Sequence, residues 1–218
     1  LGRLVGGVEH AAASVVQPRL LDAQGNELPA DAPGEAVAQS VYDIPIKRGI
    51  RFAPHPAFAR NAQGEFVYFP ITPAELDDVR SIADFAETGT RELTAHDYVY
   101  QIRRLASPRI VSPIYGQMSE HIVGMREYGD QLREADAAAR KAGNAPEWLD
   151  LREAGFAGAE ALDDHTLRLR VIGKYPQIDY WLAMSFFAPM AWEAERFFAQ
   201  PGMGERNLAL KDWPVGTG

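Results

Sequence analysis

Apolar and polar positions alternate with a period of two in two stretches of the chain. Tyr42, Ile44 and Ile46 alternate with Asp43, Pro45 and Lys47; Leu167, Leu169 and Val171 alternate with Arg168 and Arg170. That period puts successive side chains on opposite faces of a strand, so residues 42–47 and 166–172 are predicted as half-buried β-strands. Pro45 brings no amide N–H to a ladder and places the first of them near a sheet edge or a bulge. Residues 66–69 suit a further short strand. Residues 22–33, DAQGNELPADAP, are dense in Asp, Asn, Gly and Pro and read as a loop, and residues 51–61, with Pro54, His55 and Pro56, as irregular chain.

Helical spacing follows three start signals. Thr72-Pro73-Ala74-Glu75 offers an N-cap, a proline at the first helical position and a glutamate able to close a capping box, with Leu76, Val79, Ile82, Ala83 and Phe85 as its apolar face. Thr94-Ala95-His96-Asp97 is a second cap, ahead of Tyr98, Val99, Ile102 and Leu105; Pro108 stops that helix. Ser112-Pro113 opens a third, with Ile114, Met118, Ile122 and Met125 on one stripe. Residues 128–143 are charged and alanine-rich and read as an exposed helical extension. Asp163-Asp164 is a turn before the second strand. Tyr175-Pro176 breaks the chain before helix-like residues 178–187 and 192–198. Strands mixed with grouped helices indicate an α+β fold, a small, largely antiparallel sheet packed with several helices.

The net charge of −8, from 22 basic and 30 acidic residues, argues against general affinity for nucleic acid or anionic membranes. No apolar run approaches the ~18 residues of a membrane span. With no cysteine, disulfides, thiolate zinc sites and thiol nucleophiles are excluded. The first residues show no signal-peptide pattern and no initiator methionine.

Candidate chemistry is sparse. None of His10, His55, His96, His121 and His165 forms an H-x-x-x-H or H-E-x-x-H pair. Asp163-Asp164-His165 is the one local acid–histidine cluster, and its position suits turn chemistry better than a ligand set. His55, between two prolines, suits a hydrogen-bonding role in its loop. Asp77-Asp78 sits where a helix's first turns favour solvated acids. No G-x-S-x-G, G-x-x-x-x-G-K-[ST] or G-x-G-x-x-G occurs, so no catalytic residue, metal ligand or cofactor is assigned. Tyr175, Tyr180, Trp181, Phe186, Phe187, Trp192, Phe197 and Phe198 crowd into a short segment; most are expected in a core, with one or two free to line a cleft.

Four phrases carry a resemblance. Residues 42–52, YDIPIKRGIRF, resemble the strand and "G-[IV]-x-F" turn of the bacterial extracellular solute-binding proteins, family five: the peptide, dipeptide and nickel receptors of ABC importers. TRELTAHDYVY, residues 90–100, resembles that family's "T-A-x-D" helix start; LDDHTLRL, residues 162–169, its "D-D-x-T" strand entry; and WPVGTG, residues 213–218, its "P-[VI]-G-T-G-P-[YF]" phrase, cut short. The stretches between Phe58 and Arg91 and over residues 128–143 are longer than in compact members.

The resemblance implies a first-lobe piece, with its extra subdomain, of a periplasmic-binding-protein type II fold. Residues 1–40 form a poorly matched N-terminal segment, residues 41–218 the first-lobe region, and the second lobe is absent. It further implies that the parent protein is a non-enzymatic, monomeric receptor. That receptor is periplasmic or lipid-anchored outside the cell, takes oligopeptides or similar solutes, and delivers them to an ABC permease. No ligand-binding residue of the family maps onto a motif position, so none is named. The alternatives are an interaction module docking through residues 128–143 and, least supported, a metal-assisted hydrolase using His165 and its neighbouring acids.

Overall fold

A computed structural model describes residues 16–153 and 155–217; His10 and Gly218 lie outside them. The chain divides into two compact units. The first comprises the described residues up to Lys47 with Thr94–Ala145 and Leu151–Pro189; the second comprises Arg48–Leu93, Pro146–Asp150 and the described residues from Met190 on.

The first unit is built on a five-stranded antiparallel sheet of order β2-β1-β3-β5-β4: β1 Arg19–Leu21, β2 Glu27–Leu28, β3 Gln39–Pro45, β4 Ala159–Asp163 and β5 Thr166–Ile172. β3 and β5 pair along their full lengths, from Gln39 opposite Ile172 to Pro45 opposite Thr166. The register sorts side chains by face. Ser40, Tyr42 and Ile44 share a face with Leu167, Leu169 and Val171, all buried. Asp43, Arg168, Arg170 and Glu160 occupy the other face as ion pairs.

Both alternating stretches are therefore strands, with two corrections. β3 starts at Gln39 and is the central strand rather than an edge; Pro45 is tolerated because it is the last residue, where the ladder ends. The predicted 22–33 loop contains β2. Its tight turn is held by Asp22, whose carboxylate accepts from the amides of Gln24 at 2.9 Å and Asn26 at 2.8 Å, and Gly25 takes the positive φ of 83°.

Helix α1, Ala95–Leu105, packs on β4 and β5 through a continuous buried face that includes Tyr98, Ile102 and Leu105. Its start follows the expected cap: the Asp97 carboxylate accepts from the Thr94 amide at 2.9 Å. The stripe Ile114, Met118, Ile122 and Met125 is buried, but two helices share it: α2 Tyr115–His121 and α3 Met125–Lys141. Gly124, at φ 75°, makes the break. The unit closes with α4 Ile178–Leu182 and a 3-10 turn, Ser185–Phe187.

The second unit has little regular structure among its described residues. Helix α5, Trp192–Phe198, accompanies the 3-10 turns Pro56–Phe58, Pro73–Leu76, Ile82–Asp84 and Gly204–Arg206. Its core gathers Ala57, Ile71, Leu76, Val79, Phe85, Phe197, Met203 and Leu208. Residues 72–85 are not one helix. Ser81 is extended (φ −148°, ψ 166°), and Asp84 accepts from the amides of Arg80 and Ser81, so a second cap interrupts the run. Leu76, Val79 and Phe85 are still buried. Residues 66–69 form no strand; only a single bridge from Arg60 to Phe66 is made there.

Candidate functional site

The acid–histidine cluster is a turn. Asp163 ends β4, and its carboxylate accepts from the His165 amide at 2.7 Å and the Thr166 hydroxyl at 3.0 Å. His96, from the first turn of α1, reaches Asp164 at 3.5 Å, with both side chains largely exposed. Among the described residues no three His, Cys, Asp or Glu side chains come together as a metal site. Asp77 is not in the first turns of a helix: it ends the 73–76 turn, and Arg206 donates to its backbone carbonyl at 2.7 Å and its carboxylate at 3.1 Å.

His55 is 6% exposed and caps the 56–58 turn, its Nδ1 accepting from the Ala57 amide at 3.0 Å. Burial pushes the imidazole down to about 4. His121, at the end of α2, stacks on Tyr175 with ring centroids 3.7 Å apart and planes 11° apart.

The aromatic segment does not form one cluster. Tyr175, Tyr180, Trp181, Phe186 and Phe187 belong to the first unit; Trp192, Phe197 and Phe198 belong to the second. Only Phe187 and Phe197 are fully buried, Tyr180 is 75% exposed and the rest are half-buried. In the first unit the Trp181 indole N–H donates to the Tyr175 hydroxyl at 2.9 Å, extending the His121–Tyr175 stack into a surface platform. In the second unit sequence reasoning missed a larger array. Arg60 lies 3.8 Å over Phe66, Phe66 meets Trp192 edge-on, Trp192 stacks on Trp148, and Arg196 lies over Trp148 and Phe69. Arginine side chains cover these ring faces, so the array consolidates a surface more than it opens a ligand slot. Trp148 stands alone in the sequence and Phe66 belongs to a separate aromatic run, residues 66–69, so no local signal joined them to Trp192.

The four phrases singled out in the sequence meet through their backbones, within each unit. In the first unit the Ala95 amide, at the start of α1, donates to Asp164 O at 2.8 Å, and Ile46 N donates to His165 O at 2.8 Å. In the second unit Phe52 N donates to Arg91 O at 3.0 Å, Leu93 N to Ile50 O at 2.8 Å and Ala53 N to Gly216 O at 2.8 Å, and Phe52 bridges Thr217. Side chains tighten the second set: Thr90 Oγ1 donates to Phe52 O at 2.6 Å, and Gly49 N donates to Glu92 at 2.6 Å. Arg91 also makes a bidentate pair with the buried Glu193, both contacts at 2.7 Å, while its guanidinium lies over Phe52.

On the charged sheet face the Arg168 guanidinium, bound to Asp43 at 2.6 and 2.7 Å, holds that carboxyl below the usual range. Two open concavities accompany these features. One, of about 360 Å³, lies by Ser119, Arg126 and Glu127; the other, of about 590 Å³, lies by Arg80, Arg206 and Trp213. Neither brings a nucleophile to a base.

No family model matches the sequence, and no curated protein matches it. Among solved structures the chain is similar to peptide-bound OppA of Listeria monocytogenes (19% identity over 84% of this chain and 26% of that one, TM-score 0.36). It is also similar to OppA of Haemophilus influenzae in complex with the peptide RPPGFSPFR (15%, 93% and 28%, TM-score 0.40) and to the pheromone receptor PrgZ (16%, 85% and 27%, TM-score 0.40). The chain thus spans about a quarter of the length of the structures it matches.

Proposed function

We propose that this chain is part of the first lobe of the substrate-binding component of an ABC importer, and that the full protein captures oligopeptides or similar solutes outside the cytoplasm. The observation that carries the reading is the pairing of the four phrases. Residues 42–52, 90–100, 162–169 and 213–217, far apart in sequence, are the segments that pair with one another at the Ala95–Asp164, Phe52–Arg91 and Phe52–Thr217 contacts. Phrases that resemble one family in order, and that also pair in space, support a shared framework better than separate short matches do.

The chemistry is consistent with capture rather than turnover. The acid–histidine cluster is committed to a turn, the perturbed carboxylates Asp43 and Asp136 are bound by arginines, and the aromatic groups form surfaces. In this reading the full protein is a monomer that hands its solute to a membrane permease and works in the periplasm or as a lipid-anchored receptor. Among the described residues no helix is long and apolar enough to cross a membrane.

The test is to purify the full-length protein from its own host without denaturation and identify what it carries by mass spectrometry. Oligopeptides in near-stoichiometric amount are expected. A different class of solute in that amount, or a protein that carries nothing and binds no peptide from a random library, overturns the proposal.

A further inference from the structure

We infer that His55 is an acid-sensitive latch of the second unit: protonating its ring undoes the cap on the 56–58 turn and releases the backbone junction between His55 and Gly89. The inference does not depend on what the chain binds.

The geometry fixes the protonation state. Nδ1 accepts a hydrogen bond from the Ala57 amide, so it carries no proton and the neutral ring holds its hydrogen on Nε2. Nε2 is buried without a hydrogen-bond partner. Around the ring stand Phe58, Phe197 and Phe198, with centroids 6.4, 5.4 and 5.6 Å away. A second proton must go on Nδ1, where it would face the Ala57 N–H across 3.0 Å, donor against donor. The cation would also lie among phenyl rings rather than beside an anion.

Charged groups do exist on the elements packed around it. Helix α5 carries Glu193, Glu195 and Arg196, of which Glu193 is bound to Arg91 and Arg196 lies over Phe69 and Trp148; Glu87 and Arg91 flank Gly89. None of them offsets the burial that disfavours the imidazolium.

The same residue anchors the unit's backbone. His55 and Gly89 exchange two hydrogen bonds, His55 N to Gly89 O at 2.9 Å and Gly89 N to His55 O at 3.1 Å. Ala57, inside the turn that His55 caps, and Phe197, against its ring, both belong to the unit's core. Loss of the cap therefore reaches the core directly.

The sign follows from linkage. Burial holds the ring's affinity for protons below its ordinary value near 6.5, so the folded unit binds fewer protons than the opened one. Stability is fully present above about pH 6.5 and falls as the pH drops from there towards 4. Between pH 6.5 and 5.0 the opening equilibrium rises roughly 15-fold, the slope approaching tenfold per pH unit only below the opened-state value. That window lies above the range in which the arginine-bound carboxylates titrate.

The test is hydrogen exchange of the whole chain at pH 6.5 and 5.0, corrected for intrinsic rates, in the wild type and in His55→Asn, which can still accept from Ala57 but does not titrate. The amides of His55, Ala57, Phe58, Ala59 and Gly89 in the wild type are expected to lose about 15-fold of protection over this range, and those of the variant to stay level. Equal pH dependence in the two proteins overturns the latch. If the variant does not fold, NMR titration of the wild-type histidines decides: a His55 ring neutral at pH 5 supports the latch, and one titrating near 6.5 overturns it.

Discussion

At the residue scale, two positions in the second unit leave no room for change. A Cβ at Gly89 would lie 2.1 Å from the Phe58 carbonyl oxygen, a backbone atom that cannot swing away. Gly89→Ala is expected to cost about 3 kcal/mol of stability, read by urea denaturation; a loss below about 1 kcal/mol would mean that the 55–58 and 89 segments are not held together as described. Glu193, 3% exposed, depends on Arg91. Arg91→Ala strands a buried carboxylate and is expected to cost about 3–5 kcal/mol, whereas Arg91→Met with Glu193→Met recovers most of it, because removing both charges also removes their desolvation. Neither residue stands out in the sequence. Gly89 lies in an ordinary polar run, and its partner in the close contact is 31 positions away.

At the scale of elements, what was legible depended on whether the signal was local. The α1 cap, the β3 and β5 alternation and the Asp163–Asp164 turn are written in adjacent residues, and each forms there, although β3 begins earlier than its alternation, at Gln39, and ends at Pro45. Strand β4 is not legible: Ala159-Glu160-Ala161-Leu162 are helix formers, held extended only by pairing with β5. The failed 72–85 helix was legible in part, since Ser81-x-x-Asp84 is itself a capping signal inside the apolar period. Asp97→Ala is expected to lower stability by about 1 kcal/mol in the same urea assay, by removing the carboxylate that caps α1. On the charged sheet face, Asp43 has its pKa lowered by Arg168, so its contribution is present above the ordinary carboxylate pKa and is lost as pH falls through the lower, folded value. Asp43→Asn is expected to flatten that acid limb of the stability–pH curve and leave neutral-pH cooperativity intact.

At the scale of the whole molecule, the aromatic segment was the least readable feature. Eight rings within 24 positions suggest a single cluster, yet the unit boundary after Pro189 divides them, and the second unit draws Phe66 and Trp148 from far away in sequence. Three of the acids and histidines have plain structural roles: Asp163 holds a turn, His55 caps another and Asp43 is bound to Arg168. The ligand-contacting side chains were never legible, because a peptide receptor of the proposed kind holds its ligand between lobes and needs no dense local motif.

The proposal that this chain is one part of a two-lobed peptide receptor is tested most directly by calorimetry with the same oligopeptide mixture on two samples, the 218-residue chain and the full-length protein. The expected result is saturable binding at micromolar or tighter concentration by the full-length protein and no measurable heat with the chain alone, which supplies only one side of the cleft. Tight, saturable peptide binding by the chain alone, or none by the full-length protein, would contradict it.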